Sequence, residues 1–297
     1  MNFSILLSIY EEIGCDKMKK MIFLDIDGTL LSKLGKVSKK VYQAIKKAQE
    51  NGNLVFLCTG RARCAIKNLE YIGFDGYICF AGSYIEINHH IIDQHALSNE
   101  MVKKVSECFE RNHVYYNYET EKAVYQDTIV DELYLFGTKR SHINVQQREM
   151  IRQSEKDLGV LPFHLYHDDI DVYKMCFIAL KKGDLEQLKK EFNNDFHIII
   201  HDDDQVDVIL GEIIPKGFDK GQAIEKVVAY LNASLEDTIC FGDSMNDLPM
   251  IEKCHYSVVM ENGHKELKKH ADAICESVEN DGIYHELKRL KLLEEDD

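Results

Sequence analysis

Positive charge is in short supply in this chain relative to negative. Thirty-six Lys and Arg stand against 51 Asp and Glu, a net charge of −15. Such a surface repels nucleic acid and anionic membrane, so neither is expected as a partner. A phosphorylated ligand would need local positive charge from a metal ion or a placed Lys or Arg. No apolar run approaches the length of a membrane span. Nine cysteines are present, yet none forms a Cys-x-x-Cys pair or a zinc-binding spacing. Cys58, Cys79 and Cys240 sit inside apolar runs, where cysteine behaves as a small hydrophobe. A reduced, cytoplasmic protein is therefore expected. There are no internal repeats and no low-complexity tract. The opening Phe3-Ser4-Ile5-Leu6-Leu7 lacks a basic leader and a small-residue cleavage site, which disfavours a signal peptide. Residues 1–17 are expected to be a dispensable extension, with Met18-Lys19-Lys20 as the natural start running straight into the first strand.

What is present reads as two domains, since 297 residues exceed one ordinary core. Met21-Ile22-Phe23-Leu24 is a buried parallel strand, followed by Asp25-Ile26-Asp27-Gly28-Thr29. Two carboxylates two positions apart leave the strand end on one side, and Gly28 allows a sharp turn and close backbone approach to a ligand. Alone, this is equally an acidic turn binding a cation. Ser38 caps a helix with Val41, Ala44, Ile45 and Ala48 at helical spacing, and Gly52 stops it. Leu54 to Cys58 is a second buried strand ending at Thr59-Gly60-Arg61, and a helix to about Tyr71 follows. A third strand covers Tyr77 to Phe80. This is an α/β, doubly wound, Rossmann-like parallel sheet.

From about Ser83 the strands alternate, as in Tyr84-Ile85-Glu86-Ile87, so residues 83–212 are expected to form an inserted α+β domain. Its helices are marked by Met101, Val102, Val105 and Phe109, and by a capping box from Asp184 to Gln187. Strands are expected at Val172 to Leu180, Phe196 to Ile200 and Val206 to Leu210, whereas residues 127–167 carry no pattern that assigns them. The doubly wound pattern resumes near Pro215, giving a core of residues 18–82 and 213–297. Asp219 and Gln222 open its next helix, and Thr238-Ile239-Cys240-Phe241 is a buried strand ending at Gly242-Asp243. Two short strands, a last helix and a frayed acidic tail complete the chain.

Asp25, Asp27, Thr59 and Asp243 each follow an apolar strand, so they should share one carboxyl edge. Lys220-Gly221 opens a helix, and Asp247 lies one helical turn from Asp243. This ordered set resembles the haloacid dehalogenase superfamily of phosphohydrolases. The matching segments are Asp25-Ile26-Asp27-Gly28-Thr29, Thr59-Gly60-Arg61, Lys220-Gly221 and Gly242-Asp243-Ser244-Met245-Asn246-Asp247. The resemblance implies that Asp25 attacks phosphorus and forms an aspartyl-phosphate. Asp27 would protonate the leaving oxygen and later deprotonate water. Mg2+ would be held by Asp25, the backbone carbonyl of Asp27 and Asp243, with Asp247 beside or behind it. Gly28, Thr59, Gly60, Arg61, Lys220 and Asn246 would hold the phosphate, with Lys220 also pairing with Asp25.

Thirty-one residues separate Asp27 from Thr59, too few for a lid, and 160 separate Thr59 from Lys220. The insert must then be the cap that covers the site and selects the leaving group. An α+β cap in this position, with Ile214-Pro215-Lys216-Gly217-Phe218-Asp219-Lys220-Gly221 and the closing segments Val259-Met260-Glu261-Asn262-Gly263 and Asn280-Asp281-Gly282-Ile283, resembles the Cof-type, or IIB, branch. That implies dephosphorylation of a small phosphorylated metabolite, often a sugar phosphate. One departure is Ala81-Gly82 where the branch has Asn-Gly, so the amide role is not carried over. A phosphosugar mutase and a non-catalytic metabolite-binding regulator are the competing readings. Arg61 is read either as a substrate clamp or as a salt-bridged surface residue. His164, His167, Asp168, Asp169 and Asp171 fit no standard metal site and read as a solvated loop. His201-Asp202-Asp203-Asp204 reads as a polar turn and Lys139-Arg140 as an exposed loop. Nothing in the sequence sets an oligomeric state.

Overall fold

The structure is a computed structural model that describes residues 19–32, 35–127, 130, 159–201 and 208–294. The expected N-terminal extension, Lys139-Arg140 and Asp202 to Asp204 lie outside the described residues.

The first apolar run becomes β1 (Met21–Leu24), buried at every position. Around it a sheet of eight strands runs β14-β13-β12-β1-β2-β3-β4-β5. Its members are β2 (Leu54–Cys58), β3 (Gly76–Cys79), β4 (Tyr84–Ile87), β5 (His90–Gln94), β12 (Thr238–Gly242), β13 (Tyr256–Met260) and β14 (Ala273–Cys275). The six strands from β14 to β3 pair in parallel. They need cover on both faces, which is why their sequences run apolar rather than alternate. Chain order reverses at β1, which has β2 on one side and β12 on the other. Leu24 is in register with both Leu57 and Phe241, so three strands end side by side there.

Helix α1 (Lys39–Glu50) begins where expected, with the Ser38 hydroxyl accepting from the Val41 N–H at 3.1 Å. It buries Val41, Ala44, Ile45 and Ala48. The helix expected after Arg61 is a tight three-residue-per-turn helix, Arg63–Ile72. It still buries one stripe, Cys64, Ile66, Leu69 and Ile72.

A second sheet of six strands, in the order β10-β11-β9-β6-β7-β8, is built from β6 (Tyr115–Thr120), β7 (Val124–Gln126), β8 (Val160–Pro162), β9 (Val172–Ala179), β10 (Phe196–His201) and β11 (Ile209–Pro215). Helices α2 (Asn99–Arg111) and α3 (Glu186–Phe192) pack on it, contributing Val105, Phe109, Leu188 and Phe192 to a core with Met175, Phe177 and Ile213. The capping box expected from Asp184 to Gln187 does not form. Asp184 instead accepts from the Lys181 N–H at 3.1 Å, one short turn before α3 begins.

The change of sheet is displaced from the expected boundaries. Strands β4 and β5 continue the first sheet antiparallel from β3, so residues 83–94 do not open the insert. The alternation that suggested a new domain has a local cause. Glu86 is buried because Arg63 reaches it at 2.8 Å, and Ile85 and Ile87 join the first sheet's core. At the other end, β11 belongs to the second sheet up to Pro215. The chain then returns to α4 (Lys220–Tyr230), α5 (Leu248–Lys253) and α6 (Gly282–Arg289).

Between β3 and β4 the backbone is strained. Phe80, Ala81 and Gly82 have φ of +49°, +55° and +113°. A left-handed conformation costs a β-carbon-bearing residue about 1–2 kcal/mol, and Asn tolerates it better than Ala. The turn persists because the Phe80 and Ala81 N–H groups donate to Arg61 O and Thr59 O, both at 3.0 Å. Ala81→Asn should therefore raise the thermal unfolding temperature, read by circular dichroism. An unchanged or lower midpoint would contradict strain at this residue.

Candidate active site

The strand ends of β1, β2 and β12 bring Asp25, Thr59 and Asp243 to one edge at the point where strand order reverses, the place where open α/β sheets bind ligands. Asp25 continues β1 by donating its N–H to Phe241 O at 3.0 Å, and it is buried.

Lys220 comes from the first turn of α4. Asp219 caps that helix, accepting from the Gln222 N–H at 2.8 Å. The Gln222 side-chain amide donates to the same carboxylate at 2.7 Å. Gly221 lets α4 approach α5, since a β-carbon there would sit 2.4 Å from Pro249 O. The fully buried Lys220 Nζ then donates to Asp25 Oδ1 at 2.6 Å and to Asp247 Oδ1 at 2.5 Å. Asp247 uses its other oxygen to accept from the N–H groups of Asp243 and Ser244, at 2.9 and 3.0 Å. It is thus fully engaged and fixes the turn that carries Asp243.

Asp25, Asp243 and Asp247 each offer an oxygen, all within 4.8 Å of one another. Three acids share one lysine. Burial, then the Asp247 charge, push Asp25 up, with Lys220 working in the opposite direction. The same two causes push Asp243 up to about 7, again opposed by Lys220. Lys220 is itself held above its ordinary range: burial works against its charge, and Asp247 and Asp25 outweigh it. A hard divalent cation fits this donor set. Its oxygens are carboxylate, its charge is unbalanced, and Asp243 Oδ1 is buried with no hydrogen-bond partner. Asp27 contributes no side-chain oxygen to the cluster.

The two carboxylates of the opening motif have different surroundings. Asp25 is buried against Lys220, whereas the Asp27 side chain is 65% exposed and gripped at both oxygens by Arg61, at 2.8 and 2.5 Å. Arg61 thus forms a salt bridge whose partner is the second acid of the opening motif. Gly28 has φ +83°, and a β-carbon on it would meet Asp243 Oδ2 at 2.2 Å, so only glycine fits between the two acidic turns. Thr59 is buried, and its hydroxyl accepts from the Arg61 N–H at 3.1 Å. Asn246 Nδ2 lies 3.9 Å from where a Gly60 β-carbon would be, so its amide faces the Thr59-Gly60 turn. His164, His167, Asp168 and Asp169 are exposed, and no cluster with metal-ligating geometry forms from them among the described residues.

Two positioning residues escape sequence reasoning. Asn262 donates to Gly28 O at 2.8 Å and accepts from the Val278 N–H at 2.9 Å, tying the acidic turn to the C-terminal segment. Lys174, in β9, donates to Gly60 O at 2.9 Å. A lysine inside an otherwise apolar strand was the available signal for the second; the first lies in the closing segment Val259-Met260-Glu261-Asn262-Gly263, whose resemblance assigned it no role.

Residues 22–287 match the model of the haloacid dehalogenase-like hydrolase family. The 5-amino-6-(5-phospho-D-ribitylamino)uracil phosphatase YwtE of Bacillus subtilis (strain 168) is 25% identical over 284 residues, covering 91% of this chain and 98% of that one. A haloacid dehalogenase-like hydrolase of known structure from B. subtilis superposes with a TM-score of 0.75 at 25% identity, covering 91% of this chain and 99% of that chain. The HAD subclass IIB sugar phosphatase BT4131 shares the fold with a TM-score of 0.70 at 22% identity, covering 92% of this chain and 100% of that chain. With four motifs assembled at one sheet edge and a family model spanning nearly the whole length, this chain belongs to the haloacid dehalogenase-like hydrolases.

Proposed function

We propose that this protein is a magnesium-dependent phosphatase that hydrolyses small phosphorylated metabolites, sugar phosphates foremost, through an aspartyl-phosphate on Asp25. The observation that carries this reading is the buried Asp25–Lys220–Asp247 bridge at the strand-order reversal. The buried ammonium beside Asp25 favours its anionic, nucleophilic form against the burial and the Asp247 charge that oppose it, and the same ammonium offsets its repulsion from an incoming phosphate.

On this reading Asp25 attacks phosphorus and the phosphorus–oxygen bond to the leaving group breaks. Asp27, exposed toward solvent, gives that oxygen its proton and afterwards takes one from the water that attacks the phosphoryl group. The Asp27 proton carrier is aimed by Arg61. The hydroxyl of Thr59, the turn at Gly60, the amide of Asn246 and Lys220 hold the phosphate oxygens. Asp25, the Asp27 carbonyl, Asp243 and Asp247 would hold Mg2+, which supplies charge neutralisation at the phosphoryl oxygens. The relative YwtE is named for a substrate whose phosphate sits on a ribityl chain, which supports a polyol phosphate as the leaving-group class. A non-catalytic regulator would be expected to have lost a nucleophile, a lysine or an acid of the set, and Asp25, Asp27, Lys220, Asp243 and Asp247 are all retained.

A panel of phosphorylated metabolites with magnesium, scored for free phosphate, tests the reading. Free phosphate should appear in step with substrate loss, and Asp25→Asn should lower turnover by at least about 10⁴-fold while leaving the melting temperature within a few degrees. Isomerised sugar phosphate without phosphate release would overturn hydrolysis.

The acid cluster also fixes a pH dependence. The folded-state pKa values of Asp25 and Asp243, about 8 and about 7, lie above their unfolded values, so the folded form holds more protons from about pH 4 up to those values and these groups lower stability as pH rises through that window. In chelator, Asp243→Asn should melt above the wild type at pH 8, with a smaller gap at pH 5. Adding magnesium should raise the wild-type midpoint more at pH 8 than at pH 6, because binding displaces protons, and should do little for Asp243→Asn. An equal magnesium shift in both proteins would place the ion elsewhere.

A further inference from the structure

The cap sheet turns one polar face toward the catalytic turn. Lys174 and Cys176 lie two apart on β9, so they share a face, and register brings Glu119 beside Lys174 and both Asn117 and Glu212 beside Cys176. Lys174 is buried, 2.7 Å from Glu212 and 3.1 Å from Glu119. Glu119 also accepts from the Cys176 thiol at 3.1 Å. Burying an ammonium is costly, and two carboxylates hold it there. Its remaining bond leaves the cap altogether, to Gly60 O at 2.9 Å.

That carbonyl belongs to a turn whose other carbonyls are held by the core. Ala81 N–H donates to Thr59 O and Phe80 N–H to Arg61 O. Only the middle one is held by the cap. Gly60 C=O is part of the Gly60–Arg61 peptide, and the N–H of that peptide donates to the Thr59 hydroxyl. The next side chain, Arg61, grips Asp27. Orienting this one peptide therefore orients the threonine hydroxyl and the root of the arginine that aims Asp27. The preceding cap residue meets the other side of the turn: the Tyr173 ring stacks on Phe80 at 4.8 Å. Consecutive residues of β9 thus touch both segments that cradle the turn.

We propose that Lys174 is a positioning residue through which docking of the cap sets the geometry of the Thr59-Gly60-Arg61 phosphate turn. It acts on every phosphate ester alike, because it fixes the part of the site that holds phosphate and not the part that meets the leaving group. The proposal rests on the phosphatase reading, but one arm of its test does not.

The variants are Lys174→Met, Lys174→Arg, and Lys174→Met with Glu212→Gln, the last removing one positive and one negative charge so that the buried cluster keeps its net charge. Tyr173, stacked on Phe80 and donating its hydroxyl to Gln94 Oε1 at 2.9 Å, still ties the cap to its base in each. Two readouts are taken in magnesium. The first is kcat and KM with p-nitrophenyl phosphate and with ribose 5-phosphate. The second is the rise in melting temperature given by inorganic phosphate or orthovanadate, which needs no turnover. The double variant should lose about tenfold to a hundredfold in kcat on both esters by the same factor, and its stabilisation by phosphate should shrink. Lys174→Arg should recover part of both. A lower melting temperature with wild-type kinetics and full phosphate stabilisation would make Lys174 structural only and overturn the proposal. A loss confined to one ester would make it a leaving-group contact and overturn it equally. Hydrolysis of no ester in the metabolite panel would overturn the phosphatase reading, and the phosphate-induced shift would still decide whether Lys174 governs the turn.

Discussion

A single buried ammonium shared by two buried carboxylates is the constraint on which the rest of this structure depends. Lys220 has no solvent to hydrate it, and neither has Asp247, so each charge exists only because the others are within hydrogen-bond distance. Removing Lys220, the one cation of the set, would typically cost about 3–5 kcal/mol, because the carboxylates are left buried and unpaired. The surrounding architecture holds the three in place. Parallel register aligns β1 with β12, Gly221 lets α4 close on α5, and Asp247 clamps two backbone N–H groups of the turn that presents Asp243. The set is also incomplete in charge: burial first, and then the Asp247 charge, push Asp243 up to about 7. Acids gathered this closely put the site under electrostatic stress, the kind of cost by which stability is traded for function.

The core and its acids were legible in sequence because they rest on short-range rules. Four-residue apolar runs ended by Asp25, Thr59 and Asp243 declare buried strands and their carboxyl ends, and the cap of α1 at Ser38 is a local hydrogen bond. The bounds of the insert were not legible in the same way. Glu86 looked like the solvent side of a half-exposed strand, but Arg63, more than twenty residues earlier, buries it. Only tertiary contact decides whether a charge in a strand faces water. Arg61 left two readings open for a related reason, since its choice of Asp27 as partner depends on the relative placement of two turns.

The same limit hid Asn262 and Lys174, whose roles lie wholly in carbonyl groups far along the chain, Gly28 O and Gly60 O. Both hold backbone, and no sequence spacing marks a residue that does so at long range. The strained Phe80-Ala81-Gly82 turn belongs with them: its N–H groups hold the carbonyls on either side of Gly60, so strain in one segment is spent on fixing another. The acids at the strand ends are therefore the readable half of the candidate site, and the backbone supports around them are the half that needed coordinates.

The account stands on Asp25 as the atom that bonds to phosphorus. Its most direct test is to slow the second half-reaction with Asp27→Asn, acid-quench the enzyme during exposure to a phosphate ester and magnesium, reduce with borohydride, and sequence the peptides by mass spectrometry. An aspartyl-phosphate would be reduced to homoserine, and the account predicts homoserine at position 25 alone. Homoserine at another aspartate, or hydrolysis by the wild type through a phosphoenzyme that leaves position 25 unmodified, would contradict it.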